Sequence, residues 1–92
     1  MRKIDFAEDA PQYCSAQPGL QCAASVDGAL CTYAVTAEAL EEHFAAGSYR
    51  KEDLVSAFAD HRVEIERVAR TFFEMTGARN IVLHSGHFRF AA

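Results

Sequence analysis

The sequence predicts a two-layer α+β domain: a mainly antiparallel sheet of four to five short strands with two helices on one face. An Asp27-Gly28 pair between two alternating segments predicts a β-hairpin. Between positions 36 and 76, apolar residues recur with helical spacing. Strands and helices form separate blocks along the chain instead of alternating, which is typical of the α+β class.

Length and composition favour one domain, taken as 1–92 with a short tail at 91–92. The net charge of -4 argues against nucleic-acid binding, because phosphate contacts depend on Lys and Arg. Charges from residue 2 onward argue against a signal peptide, and no apolar segment approaches the ~18 residues of a membrane span. We therefore expect a cytoplasmic protein without membrane contact. The three cysteines lack CxxC spacing and are interpreted as thiols.

The N-terminal segment begins with a short strand. Residues 2–6 alternate, so Ile4 and Phe6 should point inward. Residues 7–19 contain both prolines and show little periodicity, which predicts a loop that closes in a turn at Pro18-Gly19.

The central hairpin, over 20–26 and 29–35, carries the most specific prediction. A two-residue turn makes the numbers of paired residues sum to 55, so Cys22 should face Tyr33. The more apolar of its two faces is the predicted core face: Leu20, Cys22, Ala24, Val26, Ala29, Cys31, Tyr33 and Val35. The opposite face carries Gln21, Ala23, Ser25, Leu30, Thr32 and Ala34, and it is rather apolar for a surface in contact with water.

Two helices should follow the hairpin. Thr36 is a suitable N-cap for the first, and Gly47 is its expected C-terminal stop. The second is expected over 50–76 as one continuous helix, with Ser48 as its possible cap. Its apolar stripe contains Leu54, Ala57, Phe58, His61, Ile65, Val68, Ala69, Phe72 and Met75.

The C-terminal segment is predicted as a second hairpin, over 79–84 and 87–90, around Ser85-Gly86. That pairing would place His84 beside His87. A single last strand is the alternative.

The chain also resembles a bacterial domain-of-unknown-function family, number 1488. The resemblance rests on the following segments and residues: Val26-Asp27-Gly28, Val35 to Leu40, Phe44, Ala57-Phe58, His61-Arg62, Ile65-Glu66 and Ala69. It implies a two-layer α+β fold and a bacterial source. It brings no established activity and no catalytic residues.

His84 and His87 are the candidate metal ligands. As cross-strand neighbours their Cβ atoms would lie about 5 Å apart, close enough for two imidazoles to share a transition metal. Zinc sites use three or four protein ligands, and no third ligand is evident nearby. The alternative interpretation is a pair of solvent-facing histidines near a turn.

His61 and Arg62 are candidate binding residues within the long helix. His61 lies in the apolar stripe, where it could act as a base or ligand, or could simply be a core-edge residue with one hydrogen bond. Arg62 could bind a carboxylate or phosphate; alternatively it covers the core rim and pairs with Glu66 or Glu38.

Three functions follow from these features. The first is a non-catalytic protein-interaction or regulatory module, with self-association through the face that contains Leu30. The alternative is a small metal- or ligand-binding protein using His84 and His87, and a nucleic-acid-binding regulator comes third. An enzyme ranks last, because no nucleophile–base pair can be placed and no P-loop, GxGxxG, HExxH or GxSxG motif is present. No cofactor is expected.

Overall fold

The central hairpin organises the fold in the computed structural model, which describes residues 3–88. The strands are β1 (Ile4–Phe6), β2 (Gln12–Cys14), β3 (Gly19–Val26), β4 (Ala29–Thr36) and β5 (Asn80–Leu83). The helices are α1 (Ala37–Phe44), α2 (Lys51–Asp60), α3 (Arg62–Thr76) and α4 (Ser85–Phe88).

The register of β3 and β4 is the predicted one. Val26 pairs with Ala29, Cys22 with Tyr33, and the ladder continues to Gly19 and Thr36. Asp27 and Gly28 both have positive φ, 52° and 85°, as a type I′ turn requires. Asp27 also accepts a hydrogen bond from the backbone N–H of Lys3 at 2.8 Å, which ties the turn to the start of β1.

The sheet is mixed, with five strands. β1 and β2 both pair antiparallel with β3, along the same edge, and β5 pairs parallel with β4. The predicted α+β class and mainly antiparallel sheet are therefore confirmed. The predicted loop over 7–19 is wrong in two parts, because Gly19 already belongs to β3 and Gln12–Cys14 forms a strand of its own. All three residues of that strand are exposed, so hydrophobic alternation gave no signal of it.

The first helix begins as predicted but ends earlier. The Thr36 hydroxyl accepts a hydrogen bond from Ala39 N–H at 3.1 Å, a side-chain N-cap. The helix ends at Phe44, because Ala45 adopts the left-handed conformation with φ 58° and Ala46 N–H bonds back to Leu40. Gly47 is thus not the stop.

The predicted continuous helix over 50–76 is interrupted at His61. Its φ and ψ of -124° and 21° leave the helical region and divide α2 from α3. Neither Pro nor Gly explains the break. The His61 ring packs against the Phe44 ring, with the two ring centroids 5.1 Å apart. The interruption rotates the later residues, so Phe73 enters the core while Met75 is 74% exposed.

The C-terminal hairpin is replaced by a parallel strand and a short helix. The helical crossover returns the chain to the far side of β4, where β5 pairs Tyr33 with Ile81 and Val35 with Leu83. α4 then turns Phe88 back onto Phe44, with ring centroids 5.1 Å apart. The predicted pairing of Phe90 and the tail at 91–92 lie outside the described residues. Within residues 3–88 the chain consequently forms four helices instead of the predicted two.

The core lies between the helices and one sheet face. The sheet contributes the face predicted from the hairpin register, and the helices contribute Leu40, Leu54, Phe58, Ile65 and Phe73 among others. Tyr33 lies at its centre with no exposed surface, and it makes edge-to-face contacts with Phe6 at 5.6 Å and Phe73 at 6.5 Å.

Within residues 3–88 the buried Tyr33 hydroxyl has no oxygen or nitrogen atom as a hydrogen-bond partner. The polar group across the strand pair is the Cys22 thiol, and sulfur is a weak partner. Burial raises the pKa of the Tyr33 hydroxyl, and burial also raises the pKa of the Cys22 thiol. Both groups are therefore neutral at physiological pH.

Tyr33→Phe should leave the free energy of unfolding unchanged or raise it by about 1 kcal/mol, because an unpaired buried hydroxyl is removed. Urea unfolding followed by circular dichroism measures this. Tyr33→Leu is the matched control at the same site and should lose about 2–4 kcal/mol through the cavity that it creates. A clear destabilisation by Tyr33→Phe would show that the hydroxyl has a partner.

Candidate functional site

The sheet has one face that no described helix covers. The buried residues of the helices belong to the core on the opposite face. On the uncovered side the registers of β3, β4 and β5 bring eight side chains together, and we call this surface the outer sheet face: Gln21, Ala23, Ser25, Leu30, Thr32, Ala34, Asn80 and Val82. Asp5 on β1 and Gln12 and Cys14 on β2 border it on the same side of the sheet.

None of these eight side chains is ionisable. A sheet face in water usually carries charged residues among its Thr and Ser. Here Leu30 is 75% exposed and Val82 is 43% exposed, with the small residues Ala23 and Ala34 between them. The nearest charged strand residue is Asp5, at the edge opposite Ser25. The surface is therefore neutral and partly apolar over three adjacent strands.

The polar groups of the outer sheet face also bond to one another. The Thr32 hydroxyl donates to the Asn80 side-chain oxygen at 2.5 Å, across the parallel pair. An open groove of about 440 Å³ runs beside them, with Gln21, Ala34 and Val82 in its lining. Because these polar groups satisfy each other in part, the face loses less by leaving water than its composition suggests.

The predicted metal ligands lie at the start of α4, with ring centroids 5.7 Å apart. The His84 backbone N–H donates to His87 Nδ1 at 2.9 Å, so that nitrogen is occupied and the proton of the neutral His87 ring is on Nε2. The ring also packs on Phe72 at 4.6 Å. Within residues 3–88 no group of three His, Cys, Asp or Glu is placed to hold a metal ion. Metal binding by the pair stays a prediction.

Arg62 fastens the N-terminal loop to α3. Its Nε donates to Glu66 at 2.9 Å, its Nη groups donate to the carbonyl oxygens of Ala7 and Asp9, and the guanidinium lies over Phe58. Burial acts to lower its pKa, but the bond to Glu66 outweighs this and raises the pKa. Pairing with Glu66 was one of the two expectations for this residue.

His61 packs on Phe44 at the helix break.

A polar cluster around the buried Ser85 joins α4 to α1, and no sequence pattern indicates it. Ser85 is 7% exposed. Its hydroxyl donates a hydrogen bond to Glu42 and lies 3.2 Å from His43 Nε2. A hydroxyl has one hydrogen, and here Glu42 receives it. His43 must therefore donate to Ser85 Oγ, which is the reverse of the arrangement that activates a serine nucleophile. The cluster anchors α4.

All three cysteines are free, and two of them are in the core. Cys22 and Cys31 are buried on the inner face, as expected, and burial raises the pKa of Cys22. Cys14 is exposed on β2, with its thiol 3.9 Å from the Gln21 side-chain oxygen.

These observations define a small α+β domain whose distinguishing surface is a neutral, uncovered sheet face. The chain belongs to the family described as Protein of unknown function (DUF1488), whose model matches residues 4–83. No curated protein and no solved structure matches it. No helix within residues 3–88 is long and apolar enough to cross a membrane.

In the native protein Cys14 should be the one thiol of three that reacts rapidly with Ellman's reagent. Cys14→Ser should therefore remove the rapid phase of the reaction. The reason is that reagent access and thiolate formation are both restricted at the buried Cys22. Absorbance at the wavelength of the released thiolate follows the reaction, and unfolded protein supplies the count for full reactivity. Rapid reaction of the Cys14→Ser variant would contradict the buried placement of the other two.

Proposed function

We propose that the protein is a non-catalytic interaction module that self-associates through the outer sheet face. One observation carries the proposal: a face of eight side chains without an ionisable group, from which Leu30 projects with 75% of its surface exposed. Exposed apolar patches of this kind mark interaction surfaces.

A second copy of the same chain is the proposed partner. The sequence contains 13 acidic and 9 basic side chains, so the net charges of two copies repel each other. That repulsion is least where the eight uncharged side chains of the outer sheet face meet, with Asp5 at their border as the nearest strand carboxylate. A two-fold axis presents the same patch from both copies, so self-complementarity is the only requirement.

The shape of the face suits such a pairing. A two-fold axis running across the strands at Thr32 places Leu30 of one copy over Ala34 of the other. Ala34 lines the open groove of about 440 Å³, so the projecting side chain meets a depression. The small residues along the centre of β3 and β4 allow the two sheets to approach closely.

The area of the outer sheet face determines how strong a dimer we expect. Strands of eight residues, at ~3.3 Å per residue and ~4.8 Å apart over the three strands β3, β4 and β5, give at most about 380 Å² per copy. Two copies would bury about 760 Å², which is below the usual range of specific complexes. We therefore expect a weak dimer that dissociates on dilution.

Leu30→Glu should weaken the dimer at least about tenfold, because it places a carboxylate inside the contact, over Ala34 of the other copy. Sedimentation equilibrium from about 1 μM to 1 mM protein measures the dissociation constant. Val63→Glu is the matched control: Val63 is 73% exposed but lies on α3, on the other side of the molecule.

The control should dimerise as the unaltered protein does. A protein that remains monomeric over the whole range would contradict self-association. Equal weakening by both variants would attribute the effect to net charge and remove the outer sheet face from the interface.

A further inference from the structure

A second surface, on the helix layer, combines apolar residues with unpaired hydrogen-bond donors. A groove of about 380 Å³ lies between α3 and α4, within the size range of small-molecule sites. Its lining residues are Arg67, Val68, Thr71, Phe72, Met75, Gly86 and His87. It is separate from the outer sheet face, which lies on the other side of the sheet.

The apolar floor comes from one stripe of α3. Val68, Phe72 and Met75 follow at the i, i+4, i+7 spacing that places side chains on one helix face. The break at His61 turns this stripe partly away from the core, so Phe72 is half-buried and Met75 is largely exposed. The opposite wall is open at Gly86, where an added Cβ would meet nothing within 4 Å.

The polar lining consists of donors without an acidic partner. The Arg67 guanidinium forms no ion pair or hydrogen bond within residues 3–88. His87 accepts a bond at Nδ1, so its Nε2–H is a donor. In the part of the chain that the structure describes, no Asp or Glu lines the groove, although the chain as a whole is acidic.

From this combination we infer that the α3–α4 groove binds a small amphipathic carboxylate. The alkyl or aromatic body lies on Val68, Phe72 and Met75. The carboxylate accepts hydrogen bonds from Arg67, which matches carboxylate geometry with two parallel donors, and from His87. A chain of about ten carbons suits the volume.

The test is an NMR titration of ¹⁵N-labelled protein with decanoate, 1-decanol and acetate as separate probes. Decanoate should shift the amide signals of Phe72, Met75 and Gly86. Decanol should bind at least about tenfold more weakly because it lacks the charge, and acetate more weakly still because it lacks the apolar body.

Two variants assign the parts of the site. Arg67→Gln should weaken decanoate binding about tenfold and leave decanol unchanged. Arg70→Gln is its control, since Arg70 lies on the same helix but over the Phe6 ring, outside the groove. Gly86→Leu places a side chain at the open wall and should abolish binding of both ten-carbon probes, while the folded spectrum is retained.

Equal affinity for decanoate and decanol, an unaltered affinity in Arg67→Gln, or shifts confined to the outer sheet face would each overturn the inference. The result of the titration does not depend on dimerisation. The same titration can be run on the Leu30→Glu variant, in which the proposed dimer is weakened.

Discussion

The two-residue turn at Asp27-Gly28 fixes the register of β3 against β4, and the rest of the molecule depends on that register. Side chains alternate along a strand, so a slip of one residue would turn Tyr33 outward and Thr32 inward. The core would then receive a hydroxyl in place of its central aromatic ring. The positive φ of both turn residues is suited to Asp and Gly, and it is incompatible with β-branched side chains.

The end of the hairpin opposite the turn, where Gly19 pairs with Thr36, is constrained as strictly as the turn itself. Thr36 pairs with Gly19 and also caps α1, so the strand passes into the helix without a loop. A Cβ at Gly19 would lie 2.4 Å from the Val35 carbonyl oxygen, and only glycine permits this approach. Ala37 N–H bonds to the Pro18 carbonyl beside it. The position of α1 over the core therefore follows from the same ladder that separates the two sheet faces.

The features predicted correctly from the sequence are those with local causes. The turn, the cap at Thr36 and the two hairpin faces depend on residues close in the chain or in register. The errors have distant causes. α4 is anchored by Ser85 contacts to Glu42 and His43, more than 40 residues away, and β5 is parallel because of the helical crossover. The α3–α4 groove depends on the break at His61, for which the sequence contains no Pro or Gly signal.

Hydrogen-bonding and packing capacity is unequally used over residues 3–88. Two groups with nucleophilic potential are occupied or neutral: the Ser85 hydroxyl donates its hydrogen bond to Glu42, and burial raises the pKa of Cys22. Arg62 is engaged by Glu66 and by backbone carbonyls. Capacity remains at the outer sheet face, where Leu30 is 75% exposed, and in the α3–α4 groove, where Arg67 has no acceptor among residues 3–88. Because the two surfaces lie on opposite layers, one can hold a second copy of the chain while the other stays open to a small ligand.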